Sequence, residues 1–93
     1  MDKVYVVIGT TGEYSDRNEW PVCAYLSEKD AQARVGELEN LLRLHGANSD
    51  APGLIYERRD QLKKIFESID PDFEIDYTGT RYYYYPVPLI EDR

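Results

Sequence analysis

The sequence is poor in the residues on which most catalytic and metal sites depend. It contains one cysteine, Cys23, and one histidine, His45. A single cysteine excludes a disulfide within the chain, and Cys23 lies inside a strand pattern, which is typical of a small packed residue. No set of Cys, His and Asp has the spacing of a zinc site. A hydrolytic triad or thiol site would need both residues in one place, which nothing in the sequence indicates. We therefore expect no enzymatic activity, metal or cofactor.

Long apolar runs are also absent. No run approaches the ~20 residues of a membrane span. Met1, Asp2 and Lys3 lead directly into a strand-like run, without the apolar segment and cleavage site of a signal peptide. These absences predict an intracellular, cytoplasmic protein with no membrane contact. A chain of 93 residues has room for one hydrophobic core, so we expect a single domain, residues 1–93.

Basic residues are few: 11 Lys and Arg face 18 Asp and Glu, for a net charge of −7. Such a charge repels nucleic acid and anionic membranes and attracts basic protein surfaces, although solubility alone is a sufficient reason for it. A tyrosine-bearing sheet could stack single-stranded bases, but that mode needs positive charge along the path of the strand. The basic cluster has acids interspersed and is typical of a solvated helix face: Arg58, Arg59, Lys63 and Lys64.

What is present begins with two strand patterns. Residues 3–9 are β-branched and aromatic and predict a first strand. Residues 10–19 are polar and predict a surface loop. Residues 20–26 resume the strand pattern, with Pro21 near its start or on an unpaired edge. The simplest arrangement pairs these strands antiparallel.

Helical spacing follows. Ser27 is a natural N-cap, an apolar stripe runs through Ala31, Leu38 and Leu42, and Gly46 is the expected residue after the helix end. Residues 54–69 predict a second helix that ends before Pro71.

The last third predicts two more strands. Residues 73–77 alternate between apolar and acidic side chains. Gly79 allows a hairpin into residues 81–85. The element order is then ββααββ, an α+β fold with an antiparallel sheet of three to four strands and both helices on one face.

The sequence contains four consecutive tyrosines, Tyr82 to Tyr85, and side chains on a strand alternate between its faces. If the first two strands turn their valines to the helices, Tyr5 and Tyr25 lie on the opposite, open face. Either Tyr82 and Tyr84 or Tyr83 and Tyr85 join them. An aromatic face of this kind suits a protein interface, or its rings cover one another as cross-strand pairs on a solvated face.

An acidic segment precedes the tyrosines, with Asp70, Asp72, Glu74 and Asp76 at alternate positions. The spacing imitates the start of an EF-hand loop, but Ile75 and Arg81 stand where that loop needs glycine and glutamate, so calcium is not expected. On a strand, alternate carboxylates lie ~6.6 Å apart, near the spacing of nucleic-acid phosphates. The segment is therefore either a phosphate mimic toward a basic partner or an ordinary solvated face.

The polar loop carries Tyr14 and Asp16. Its start, residues 9–12, lacks the Lys-Ser/Thr pair of a phosphate-binding P-loop. The loop is either a contact element or a mere connection.

Four stretches together resemble a known group: Val-Tyr-Val-Val in the first strand, Gly12-Glu13-Tyr14-Ser15-Asp16, Pro21-Val22-Cys23-Ala24-Tyr25-Leu26-Ser27, and the ending Tyr84-Tyr85-Pro86-Val87-Pro88-Leu89. The chain resembles small proteins found widely in phages and prophages, with residues 47–80 as an insertion. The group has no settled activity to carry over. The resemblance implies a phage-borne accessory protein acting in the host cytoplasm, similar in size and charge to anti-CRISPR-type inhibitors.

We therefore predict a non-enzymatic protein-binding module, in its narrowest form an inhibitor of a host nucleic-acid-handling or defence complex. Its partner would present a basic surface. The alternatives are a small-ligand or nucleotide-binding domain and a homodimer joined by its tyrosine face. The predicted contact residues are Tyr5, Tyr14, Asp16, Tyr25, Asp72, Glu74, Asp76, Tyr83 and Tyr85.

Overall fold

The computed structural model describes the backbone of residues 3–49 and 52–90. Three strands, β1 (Lys3–Thr11), β2 (Asn18–Tyr25) and β3 (Thr80–Pro88), form an antiparallel sheet in the order β2-β1-β3. Two helices, α1 (Glu28–Leu44) and α2 (Pro52–Phe66), lie between β2 and β3 in the chain. The fold is therefore α+β, as predicted. No helix in the described ranges is long and apolar enough to cross a membrane.

Helix α1 forms where capping and spacing predict it. The Ser27 hydroxyl accepts a hydrogen bond from the backbone amide of Asp30, which satisfies one of the free amides of the first turn. Ala31, Leu38 and Leu42 are the buried residues of the helix. Gly46 follows at a φ of +61°, the left-handed conformation expected after a helix end.

The core lies between both helices and one face of the sheet. Val7 of β1 and Tyr82 of β3 join residues of both helices in this cluster. Phe66, at the end of α2, stacks on Phe73 with ring centroids 4.2 Å apart. The remaining buried members are Ala31, Leu38, Leu42, Ala47, Ile55, Leu62 and Ile75.

The prediction that Tyr5 and Tyr25 lie on the open face of the sheet is wrong. Tyr5, Cys23 and Tyr25 pack against the core, and Val7 is fully buried in it. The physical reason is that a tyrosine ring can pack between the sheet and a helix when its hydroxyl makes a hydrogen bond. The Tyr25 hydroxyl accepts from Nε of Arg34 at 2.9 Å. Valine suits either face of a strand, so alternation alone does not select the buried one.

The predicted strand at residues 73–77 and its hairpin are also wrong. The segment is irregular, although Phe73 and Ile75 are buried as the alternation suggests. Its turn is held by side chains rather than by a ladder, since Asp76 accepts from the Thr78 amide at 2.8 Å. Strand β3 pairs instead with β1, residue Thr80 opposite Thr11. The element order is thus ββααβ.

Candidate functional site

The helices leave one face of the sheet without a covering layer of described residues, which we call the open face. Residues paired across antiparallel strands share a face, so the register defines its members. The face lies opposite the side that carries Val7 and Tyr82, where both helices pack. Its side chains are Val4, Val6, Ile8 and Thr10 of β1, Glu19, Pro21 and Ala24 of β2, and Arg81, Tyr83, Tyr85 and Val87 of β3.

Two tyrosines dominate the open face. The rings of Tyr83 and Tyr85 stack with centroids 6.1 Å apart and an interplanar angle of 24°, and Tyr85 is 45% exposed. The Tyr83 hydroxyl donates to Oε2 of Glu19 at 2.9 Å. Because β1 separates their strands, this hydrogen bond spans the central strand. The face is therefore a preorganised aromatic surface rather than a set of independent side chains.

The Glu19–Tyr83 bridge shifts the pKa of both groups. The hydrogen bond from Tyr83 lowers the pKa of Glu19, against a smaller effect of desolvation, and Arg17 lowers it further with an ion pair at 2.7 Å. Burial raises the pKa of Tyr83, and the bond to the carboxylate adds to that rise. At neutral pH the bridge therefore joins a neutral phenol to an ionised carboxylate, which is a charge-assisted hydrogen bond.

The open face carries little charge in a strongly acidic protein. Of its side chains, Glu19 is acidic and Arg81 is basic, whereas the whole chain has 18 acids. Exposed acids instead occupy the helices, among them Glu28 and Asp30 at the start of α1. Depletion of charge with enrichment of tyrosine is the composition of an interface core.

The free edge of β3 is blocked near its start. The Thr80 amide donates to Oδ1 of Asn48 at 2.8 Å, and the Asn48 side-chain amide donates to the Thr80 carbonyl at 2.8 Å. The Tyr82 amide points outward and donates to Oε2 of Glu39 at 2.6 Å. Side chains thus occupy groups that would otherwise pair with an added strand.

Prolines interrupt both edges. Outward-pointing amides recur at every second residue, and in the series from Tyr82 the Tyr84 amide is followed by Pro86 and Pro88, which have no N–H. On β2, Pro21 stands opposite Ile8 and Val22 is left out of the ladder in a bulge. Addition of a partner strand at either edge is therefore disfavoured, which leaves the open face as the contact surface of the sheet.

The turn between β1 and β2 carries Tyr14 and Asp16 in a short 3-10 helix, Tyr14–Asp16. Gly12 has a φ of +88°, and a Cβ there would lie 2.3 Å from the Asp16 carbonyl oxygen. Tyr14 is 94% exposed and has a φ of +54°, which is unusual for a residue with a side chain. The Arg81 guanidinium donates to the Gly12 carbonyl at 3.1 Å.

A cavity of about 580 Å³ opens beside this turn, lined by Gly12, Glu13, Tyr14, Arg17 and Arg81. Arg81 also donates to the Thr78 carbonyl at 3.3 Å, which ties the cavity wall to the segment before β3. Two guanidinium groups and an exposed phenol give the cavity hydrogen-bond donors.

The carboxylates of the acidic segment do not form the evenly spaced row that a strand would give. Asp72 is exposed, Glu74 lies 3.3 Å from Arg59 and 3.0 Å from Lys63, and Asp76 is engaged in its own turn. Desolvation opposes ionisation of Asp76, but hydrogen bonds from Thr78 and Thr11 outweigh it and lower its pKa. The ladder spacing required for phosphate mimicry is absent because this segment is not a strand.

One member of the acidic segment, Asp70, has a structural role in the core. Asp70 is fully buried and accepts from Nε1 of Trp20 at 3.0 Å and from the Tyr82 hydroxyl at 2.6 Å. It joins β2 to β3 on the helix side of the sheet. A Cβ on Gly9 would lie 2.5 Å from the Trp20 ring, so the central strand needs glycine here.

The predicted contact residues thus separate into four places. Tyr83 and Tyr85 lie on the open face, Tyr14 and Asp16 on the turn at one end of the sheet, and Tyr5 and Tyr25 under the helices. Asp72, Glu74 and Asp76 belong to the segment before β3. Sequence reasoning missed Glu19, Pro21, Ala24 and Arg81, because membership of the face depends on the register between strands.

No protein-family model, no curated protein and no solved structure matches the chain. Within residues 3–49 and 52–90, no cluster of three or more His, Cys, Asp or Glu side chains could hold a metal ion. The open face and the cavity are therefore the features of the molecule that indicate a function.

Proposed function

We propose that this protein is a non-enzymatic protein-binding module that contacts its partner through the open face. The observation that carries the proposal is the stacked Tyr83–Tyr85 pair on a face with one acid and one base, in a chain of net charge −7. Tyrosines give a large contact area at low entropic cost. The blocked edges support the face rather than strand addition as the contact.

The composition of the face also specifies the chemistry of the contact. Its centre would pack against an apolar or aromatic surface of the partner, because it offers few charges for pairing. The net negative charge would act at longer range, on the rate of encounter rather than on the affinity of the final complex: it would raise that rate for a basic partner and lower it for an acidic one. The narrower hypothesis, an inhibitor carried by a phage, stays a prediction from the sequence.

Affinity capture with matched variants tests the proposal. Tyr85→Glu places a charge in the stacked tyrosine pair of the open face, whereas Tyr56→Glu makes the same change on α2 at a tyrosine with 52% exposure. The tagged wild type and Tyr56→Glu should retain the same bound protein, and Tyr85→Glu should lose it by at least about tenfold, as for a change at an interface centre. Equal recovery by all three baits would overturn the proposal.

A second candidate function has its own observation, the cavity with Arg17 and Arg81 in its wall. Guanidinium groups bind carboxylates and phosphates, so the candidate ligand is a small anion such as a nucleotide. Thermal melting with inorganic phosphate, ATP and GTP tests it, because a ligand that binds the folded state raises the melting temperature. Arg81→Gln should remove the shift, and the absence of any shift in the wild type would end this candidate.

A further inference from the structure

The open face is complementary to itself. Resting on the function proposed above, we infer that its partner is a second copy of this chain, packed face to face about a two-fold axis that runs along the strands. Such an axis places β2 of each copy over the tyrosine rings of the other. The contact is isologous, since the same surface serves both copies.

The relief of the face favours this axis. At one level of the sheet, Ala24 of β2, Val6 of β1 and Tyr85 of β3 lie side by side; at another, Pro21, Ile8 and Tyr83 do. Both rings rise from the β3 side, and the Tyr83 ring leans across β1 toward Glu19, whereas the β2 side carries the exposed Pro21 and Ala24. A two-fold axis along the strands, between β1 and β2, places the rings of each copy over Pro21 and Ala24 of the other. An axis across the strands would place rings on rings.

The charges obey the same symmetry. Glu19 and Arg81 stand at one level, on opposite sides of Thr10. The axis along the strands brings Glu19 of each copy toward Arg81 of the other, so two opposite pairs lie at the same level, one on each side of the axis. The exposed acids of α1 lie on the far side of each copy, which limits repulsion between two chains of charge −7.

The size of the face indicates a reversible dimer. Three strands ~4.8 Å apart and about eight residues long, at ~3.4 Å each, give roughly 400 Å² in plan per copy. Specific stable interfaces bury about 800 Å² per partner. The dimer should therefore be weak and should dissociate on dilution below about 1 mM.

Sedimentation velocity over a dilution series tests association. The wild type and Tyr56→Glu should shift from monomer toward dimer as concentration rises to about 1 mM, the affinity scale of weak complexes. Tyr85→Glu should stay monomeric, with circular dichroism confirming that it is folded. A wild type that remains monomeric throughout would overturn the inference, and so would a dimer that Tyr85→Glu leaves intact.

Cross-linking tests the axis. In a Cys23→Ala background, Ala24→Cys and Tyr85→Cys chains are treated with a bis-maleimide that spans the ~10 Å between packed sheets. The mixture should give several-fold more cross-linked dimer than the Tyr85→Cys chain alone. Preferential cross-linking of Tyr85→Cys to itself would contradict the axis along the strands.

The two proposals fail separately. A monomeric wild type that still captures another protein in a Tyr85-dependent manner removes the dimer and keeps the binding module. A monomer whose capture is insensitive to Tyr85→Glu removes both.

Discussion

The hydroxyl of Tyr82 donates to Oδ2 of Asp70 at 2.6 Å, inside the core. The same carboxylate accepts from Trp20 Nε1, so one acid joins the two outer strands through donors on either side of Gly9. Burial, followed by this hydrogen bond, raises the pKa of Tyr82 far above its ordinary value. The phenol is therefore a hydrogen-bond donor at neutral pH.

Asp70→Asn should destabilise the protein by about 2–4 kcal/mol, because an amide cannot replace a carboxylate that accepts from two buried donors. Asp72→Asn is the matched control, since Asp72 is an exposed acid of the same segment, and its effect should lie within about 0.5 kcal/mol. Denaturant unfolding measures both. Similar losses in the two variants would contradict a special role for Asp70.

Gly9→Ala should destabilise the protein by about 1–3 kcal/mol, because the added methyl group would lie within 2.5–2.6 Å of Trp20 ring atoms. Gly36→Ala is the control on α1, where a Cβ would meet nothing within 4 Å. That change should stabilise the protein by about 0.5–1 kcal/mol. Trp20 is the single tryptophan, so its fluorescence should report unfolding. In the folded state, the fluorescence of Gly9→Ala should differ from that of wild type, whereas that of Gly36→Ala should not. A stabilising Gly9→Ala would show that the ring does not lie against the strand.

Asp76 should make stability depend on pH at the acid end. Its pKa is lower in the folded protein than its ordinary value of 3.8, so its stabilising contribution is complete above that value and is lost as the pH falls through the folded pKa. The difference in unfolding free energy between wild type and Asp76→Asn should therefore be constant near neutral pH and should shrink below about pH 4. Urea titrations at several pH values measure it. A difference that does not change with pH would show that the charge of Asp76 does not matter.

Glu19→Gln should lower the pKa of Tyr83 toward its ordinary value, because it removes the negative charge at the end of the bridge and leaves burial as the main cause of the rise. Glu28→Gln is the control: Glu28 accepts from the Tyr84 hydroxyl at 3.1 Å and raises the pKa of that tyrosine. NMR titration of the tyrosine ring carbons should show each variant lowering the pKa of its own partner. A Tyr83 pKa that is unchanged in Glu19→Gln would mean that the bridge does not form in solution.

Prediction from the sequence succeeds where the governing interactions are local. The Ser27 cap, the stripe of α1 and the turn at Gly46 each depend on residues within a few positions of one another. The pairing of β1 with β2 follows from a short connection. The candidate site was predicted in part: Tyr83 and Tyr85 lie on the open face, while Tyr5 and Tyr25 do not. The alternation of a strand specifies which residues share a face but not which face is covered.

The sequence by itself determined the α+β class, the ends of α1 and the presence of a tyrosine-bearing strand in the last part of the chain. It did so because spacing and capping act between residues close together in the sequence. Tertiary structure decided the rest. The Trp20–Asp70–Tyr82 contacts span 50 and 12 residues, and they hold Tyr82 on the helix side of the sheet. Alternation then places Tyr83 and Tyr85 outside. Packing and hydrogen bonding thus hold Tyr82 and Tyr84 on the side of the sheet that the helices cover, and Tyr83 and Tyr85 remain on the open face.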